Sequence, residues 1–228
     1  MNIQGILKTT LLDYPGKVAC TIFCGGCNFR CPYCHNSSLI SFDNAPNYTE
    51  EEILAFLKKR QGVLDGVCIS GGECLLQEDI IGFVRKIKEL GYLIKIDTNG
   101  YAWGKLKLLI EEDLIDYVAM DIKNCKKKYE STSGRMGSIE AIERCIELLK
   151  SSTIPYEFRT TVVKEFHTKE DIEEIGRWLQ GANAYYIQNF KDSEGVPRHD
   201  LTGFTKEELE EFAEIARRYI DYVEIRGV

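Results

Sequence analysis

The 228-residue sequence lacks any long apolar run. Its first ten residues carry Lys8 and lead into no hydrophobic stretch, so neither a signal peptide nor a membrane-spanning helix is expected, and the expected location is the cytoplasm. It also lacks an excess of positive charge. Lys and Arg number 29 against 36 Asp and Glu, a net charge of −7. That removes the basic footprint a nucleic-acid-binding protein needs and says nothing against a protein partner. There is no internal repeat, no low-complexity segment and no compositional break, so one domain over residues 1–228 is expected. What remains, 44% hydrophobic and 29% charged residues, is the composition of a soluble globular protein long enough to bury a sizeable core.

Against these absences stands a surplus of cysteine. Nine residues of it suit a reducing compartment, where thiols stay free or bind metal. Three lie in Gly26-Cys27-Asn28-Phe29-Arg30-Cys31-Pro32-Tyr33-Cys34-His35-Asn36, at spacings of four and three. Thiols this close in sequence can converge on one centre without help from distant chain. Three readings are open. Three thiolates are one fewer than the four that hold an ordinary [4Fe–4S] cluster, so one iron would keep an open, oxygen-sensitive position. Together with His35 they could instead make a Cys3His zinc site, or they could be buried thiols with no metal. A structural zinc site usually joins two distant ligand pairs. No second cysteine pair at such spacing follows, which favours the cluster. Cys24 stands three residues before Cys27 and could compete as a ligand or form a disulfide. Cys20, Cys68 and Cys145 fit core positions.

Strand and helix patterns alternate along the rest of the chain. Residues 3–7 and 17–23 read as strands, with a turn at Asp13-Tyr14-Pro15-Gly16 between them. Thr49 opens a helix, and Thr49 with Glu52 makes a capping box. Residues 66–70 form a short apolar strand that ends in Ser70-Gly71-Gly72-Glu73. Two glycines let backbone approach a ligand closely, and Glu73 brings a carboxylate able to accept from an ammonium group; alone, the string is usually a plain turn. A helix over 78–90 leads to a strand over 92–96, ending in Asp97-Thr98-Asn99-Gly100. A helix over 106–112 leads to a strand over 116–120, ending in Asp121-Ile122-Lys123. Helices follow over 138–150, capped by Ser138, over 168–179, capped by Thr168, and from 205 to about 219, where Thr205 and Glu208 repeat the capping box. Strands are expected at 156–163, 184–188 and 222–225.

Residues 125–137, with Lys126-Lys127-Lys128, read as an exposed loop, as a solvated face before a docking patch. His167 and His199 read as surface residues. The alternation predicts an α/β fold with a parallel sheet and helical crossovers. Each polar string follows a strand, where ligands bind in barrels and open sheets alike. Periodicity does not separate a curled partial barrel from a flat, doubly wound sheet. Taken singly, Asp97 and Asp121 would more often be helix caps.

The cysteine string, with an aromatic residue before its third cysteine, resembles the signature of the radical S-adenosylmethionine (radical SAM) superfamily. The strings at 71–73, 97–100 and 121–123 follow in that superfamily's order. Within it, residues 26–36 resemble the activating enzymes of glycyl radical enzymes, above all those of anaerobic ribonucleoside-triphosphate reductase. The resemblance implies a partial (β/α)6 TIM-like barrel of the radical SAM type with an N-terminal β extension. It implies a [4Fe–4S] cluster on Cys27, Cys31 and Cys34, whose open iron takes S-adenosylmethionine for one-electron cleavage. A hydrogen atom is then taken from a backbone glycine of a large partner, a glycyl radical enzyme.

Residue by residue, the resemblance places Ser70, Gly71, Gly72 and Glu73 at the methionine ammonium, Lys123 at the methionine carboxylate and Tyr33 by the adenine. It places Asp97 at the ribose or ammonium, Asn99 among the cofactor-binding residues, a monovalent cation beside Asp97 and Asp121, and a weak contact from Lys191 or Asn189. Asp13 matches an aspartate that receives the partner's glycine loop. Two positions depart from the pattern: Cys74 stands where proline is usual, and Gln188-Asn189-Phe190-Lys191 lacks the histidine of formate-lyase-type activases. The second departure favours the ribonucleotide-reductase branch. No eight-cysteine ferredoxin-like module is inserted, so one cluster is expected, with flavodoxin or ferredoxin as electron donor. Alternatives are an activase of the pyruvate formate-lyase type, a small-molecule radical SAM enzyme acting on a deazapurine, and a zinc-stabilised binding module.

Overall fold

The computed structural model describes residues 1–227; Val228, the last residue of the expected domain, lies outside the described residues. Eight strands form one sheet in chain order. Contacts gather into two compact units. Met1–Asn28, Ser38–Thr98 and Ala102–Val118 make the first; Phe29–Ser37, Asn99–Tyr101 and Ala119–Val228 make the second.

In the first unit, β1 (Ile3–Thr10) pairs antiparallel with β2 (Ala19–Cys24), the N-terminal β extension that was expected. β2, β3 (Gly66–Gly71) and β4 (Leu93–Thr98) then run parallel. β2 reads Ala-Cys-Thr-Ile-Phe-Cys and is buried at every position but Phe23. Such an unalternating apolar run is what a strand covered on both faces requires. α1 (Glu50–Lys59) opens on the expected capping box: Glu52 N–H donates to Thr49 Oγ1 at 3.2 Å, and Thr49 N–H donates to the Glu52 carboxylate at 2.8 Å. α2 (Ile80–Glu89) buries Ile80, Phe83, Val84 and Ile87, each worth about 1.5–3 kcal/mol of transfer free energy. It begins two residues later than its apolar pattern suggests, because Cys74–Leu76 first makes a 3-10 turn. α3 (Trp103–Glu111) begins three residues early. β5 (Tyr117–Asp121) starts in the first unit and ends in the second.

In the second unit β6 (Tyr156–Val162), β7 (Tyr185–Asn189) and β8 (Val223–Arg226) are parallel. The helices are α4 (Tyr129–Ser133), α5 (Ile139–Ser151), α6 (Lys169–Trp178) and α7 (Lys206–Ala216). Thr168 and Thr205 both cap as expected, in boxes with Asp171 and Glu208.

Two expectations are corrected. Residues 125–137 are not an exposed loop: Lys126–Lys128 make a 3-10 turn, α4 follows, and Cys125, Tyr129, Thr132 and Ser133 are buried. A helix of five residues is too short to carry a periodic pattern. The three lysines are solvated, as expected of such a run, and each is paired: Lys126 with Glu143 at 2.5 Å, Lys127 with Glu174 at 2.7 Å and Lys128 with Asp171 at 2.5 Å. Ser138 precedes α5 without capping it, because its hydroxyl donates to the Arg135 carbonyl at 3.3 Å. The ring of Tyr129 stands 5.9 Å from Trp178 and 6.4 Å from Phe29. Tyr129→Ala is therefore expected to lower the unfolding free energy in urea by about 3–5 kcal/mol, whereas an exposed loop residue would cost less than about 0.5 kcal/mol.

Candidate active site

In the first unit the start of the cysteine loop is stitched to the turn after β3. Gly72 N–H donates to the Cys24 carbonyl at 2.9 Å, and Glu73 N–H to the Gly26 carbonyl at 2.8 Å. This approach is possible because positions 71 and 72 carry no side chain. A Cβ on Gly71, whose φ is +123°, would strike the Cys24 backbone, and one on Gly72 would strike the Gly26 carbonyl oxygen. The loop's own amides are satisfied as well: Gly25 donates to the Asn2 carbonyl at 2.9 Å, Gly26 to Leu39 at 2.7 Å and Cys27 to Ile40 at 3.0 Å. Glu73 is wholly buried, and its Oε1 accepts from Leu75 N–H at 3.2 Å and Thr98 Oγ1 at 2.8 Å. Asp97 accepts from Ser70 Oγ at 3.2 Å and from Lys95 Nζ. Asp13 accepts from Thr21 Oγ1 at 2.5 Å. Cys74 is buried, with its thiol 3.3 Å from the Asp97 carbonyl and 3.6 Å from that of Ile69. Burial first, and the Glu73 carboxylate second, push that thiol well above its ordinary range, so it stays protonated.

In the second unit Tyr33 is the hub of the remaining loop. Its hydroxyl donates to the Lys123 carbonyl at 3.3 Å, and its buried ring packs 5.8 Å from Phe166 and 6.4 Å from His167. Arg30 N–H donates to the Ser133 carbonyl at 2.8 Å, with Cys31 Sγ 3.8 Å from the same carbonyl, and Cys34 N–H donates to Cys31 at 3.2 Å. Asn99 is buried and accepts from Tyr101 N–H at 2.9 Å. Lys123 Nζ donates to Asp121 Oδ2 at 3.2 Å, and Arg159 Nε to Asp121 Oδ1 at 2.9 Å. Burial works to raise the Asp121 pKa, but Arg159 and then Lys123 outweigh it and hold the carboxyl near about 2. Burial works to lower the Lys123 pKa; the Asp121 carboxylate reverses that, and Lys123 stays charged. Lys191 is exposed, and its carbonyl, not its ammonium, is what His35 Nε2 meets at 2.8 Å. The Asn189 amide is engaged by the Phe204 backbone in both directions at 2.9 Å.

His167 is corrected from surface to core. It is 2% exposed; Nδ1 accepts from Val163 N–H at 3.1 Å and Nε2–H donates to the Lys123 carbonyl at 2.9 Å. Four further residues were missed. Thr98 orients Glu73; Gln77 donates to the Gly25 carbonyl at 2.7 Å and accepts from Asn2 N–H at 2.7 Å; Lys95 and Arg159 each pair with a site aspartate. Lys95 carried a legible signal, since a strand's period of two puts it on the same face as Asp97.

The donor set suits an iron–sulfur cluster. All nine cysteines are free thiols, Cys27 and Cys31 are buried and Cys34 is half-buried, and soft thiolates are the ligands such clusters take. Cys24 forms no disulfide, and burial, aided by Glu73, pushes its thiol up to about 12. Among the described residues no three His, Cys, Asp or Glu side chains are grouped so as to hold a single metal ion. His35 is turned to the Lys191 carbonyl and packs 5.6 Å from Phe190. No helix among the described residues is long and apolar enough to cross a membrane.

Residues 21–179 match the radical SAM superfamily. A protein of Methanocaldococcus jannaschii, inferred to be a glycyl-radical enzyme activating enzyme, is 37% identical over 236 residues, covering 99% of this chain and 96% of that protein. The pyruvate formate-lyase-activating enzyme of Clostridium pasteurianum is 29% identical, over 88% of this chain and 83% of that enzyme. Among solved structures, Streptococcus suis SuiB bound to S-adenosylmethionine superposes with a TM-score of 0.68 at 16% identity, over 88% of this chain and 48% of SuiB, so the chain spans about half of that structure. A domain of pyruvate-formate lyase-activating enzyme from Bacteroides vulgatus superposes with a TM-score of 0.56 at 16% identity, over 71% of this chain and 99% of that domain. These likenesses show the fold, which is the radical SAM type expected from the sequence.

Gly72→Ala is expected to push the Gly26 carbonyl, and Cys27 with it, out of place. Urea unfolding should show a loss of about 1–3 kcal/mol, and iron and sulfide analysis after anaerobic reconstitution should show less of both; unchanged loading would refute the stitching role. His167 supplies a pH test. Burial drives its pKa below the ordinary histidine value, against the pull of the Lys123 and Val163 carbonyls. The unfolded chain therefore binds a proton that the folded chain refuses, and stability is lost as pH falls below about 6.5. His167→Gln should flatten that slope in unfolding experiments between roughly pH 7.5 and 5.5 by up to about 1.4 kcal/mol per pH unit.

Proposed function

We propose, from the premise that the chain belongs to the radical SAM superfamily and within it to the glycyl-radical enzyme activating enzymes, that its partner is an anaerobic ribonucleoside-triphosphate reductase. Cys27, Cys31 and Cys34 would hold a [4Fe–4S] cluster. Such a cluster, when bound, supplies the single electron that opens a carbon–sulfur bond of S-adenosylmethionine and leaves methionine and a 5′-deoxyadenosyl radical. The chain's own residues then bind and orient. Glu73, wholly buried and already oriented by Thr98 and the Leu75 amide, presents a carboxylate to the methionine ammonium, beside Ser70 and the bare backbone of Gly71 and Gly72. Lys123 serves the methionine carboxylate, Asp97 and Asn99 the ribose, and Tyr33 the adenine, with a weaker contribution from Lys191. Asp13, on the turn between β1 and β2, receives the glycine loop of the partner, whose Cα–H hydrogen is the atom transferred. Flavodoxin or ferredoxin delivers the electron.

The observation that carries the activase reading is the stitch between Glu73 N–H and the Gly26 carbonyl, which couples the start of the thiolate loop to the ammonium-binding turn. The choice of partner rests on the exit of β7: residues 188–191 hold no histidine, and Asn189 is closed onto Phe204. A second reading, activation of a pyruvate formate-lyase, is favoured by the Clostridium pasteurianum relative. Anaerobic incubation with S-adenosylmethionine and a reductant is expected to release 5′-deoxyadenosine. Adding a purified anaerobic ribonucleotide reductase should yield a glycine-centred doublet in electron paramagnetic resonance. A doublet with pyruvate formate-lyase alone would select the second reading, and turnover of a deazapurine precursor without any doublet would end both.

A further inference from the structure

Lys95 lies in the middle of β4 and is 1% exposed. A buried ammonium is costly unless paired, and Lys95 Nζ is paired with Asp97 Oδ1, with Cys68 Sγ at 3.9 Å on the neighbouring strand. The other oxygen, Asp97 Oδ2, accepts from Ser70. Both carboxylate oxygens thus have protein donors, and one donor carries a full positive charge. The second unit repeats the arrangement at Asp121, with Arg159 on one oxygen and Lys123 on the other. A monovalent cation beside either aspartate would have to stand against an ammonium or a guanidinium, where like charges repel. These residues do not fit the metal ion that the resemblance implied.

We infer that Lys95 is a positioning residue that acts as a built-in counter-cation for Asp97, so that the chain binds S-adenosylmethionine without a monovalent metal ion. The inference rests on the reading that Asp97 contacts S-adenosylmethionine. A tethered cation needs no free ion to be captured, and it holds the carboxylate in one orientation whatever the salt around it.

The test is the affinity for S-adenosylmethionine, measured by isothermal titration of the anaerobically reconstituted protein in tetramethylammonium chloride, then in KCl or NaCl at equal ionic strength. The wild-type dissociation constant should change by less than about threefold between salts. Lys95→Met, checked for folding by circular dichroism, should bind about tenfold more weakly in tetramethylammonium chloride and recover most of that in KCl or NaCl. A wild-type affinity that rises more than about threefold with either ion would overturn the inference alone, and this arm stands even if the variant does not fold. A weakened Lys95→Met that neither ion rescues would give Lys95 a merely structural role and overturn it too. Absence of binding by the wild type in every salt would remove both the inference and the reading of Asp97 beneath it.

Discussion

One backbone hydrogen bond, 2.8 Å from the Glu73 amide to the Gly26 carbonyl, sets the terms for the rest of the candidate site. Two loops from neighbouring strands approach so closely that no side chain fits between them, which is why Gly71 and Gly72 stand there. The bond itself is worth only about 1 kcal/mol net. Its importance is geometric. It carries the position of a thiolate-bearing loop onto a buried carboxylate, and Gln77 reinforces it through the Gly25 carbonyl. Gln77, which makes that contact, directly follows the 3-10 turn that delays the start of α2.

Charge is handled in the same manner, by pairing. Asp97 with Lys95, Asp121 with Lys123 and Arg159, and buried Glu157 with Arg226 at 2.9 and 3.1 Å are all matched within their own units. Asp121, held near about 2, has no proton to exchange at neutral pH. Chemistry that moves a hydrogen atom, not a proton, has no use for a group poised near neutrality. At that pH Asp121 is a fixed charge.

Local signals in the sequence translated well. Thr49 with Glu52, Thr168 with Asp171 and Thr205 with Glu208 each cap a helix, because a capping box depends on four adjacent residues and little else. The strand ends at Glu73, Asp97 and Asp121 were legible for the same reason. What stayed hidden depends on distant chain. The burial of His167 follows from Tyr33, Phe166 and the Lys123 carbonyl, none of which its sequence neighbourhood reveals except Phe166. Lys95 sits among apolar residues and was read as part of an ordinary strand, although its spacing from Asp97 already put both on one face. The burial of Tyr129 in a five-residue helix left no pattern to read.

The cysteine loop draws its shape from protein. Its amides meet the carbonyls of Asn2, Leu39, Ile40, Ser133 and Cys31, and Tyr33 is clasped by aromatic packing and the Lys123 carbonyl. That separates it from small domains in which metal binding and folding are a single event. A change at any of the residues that supply those carbonyls would therefore reach the thiolates through the backbone, without touching a thiol.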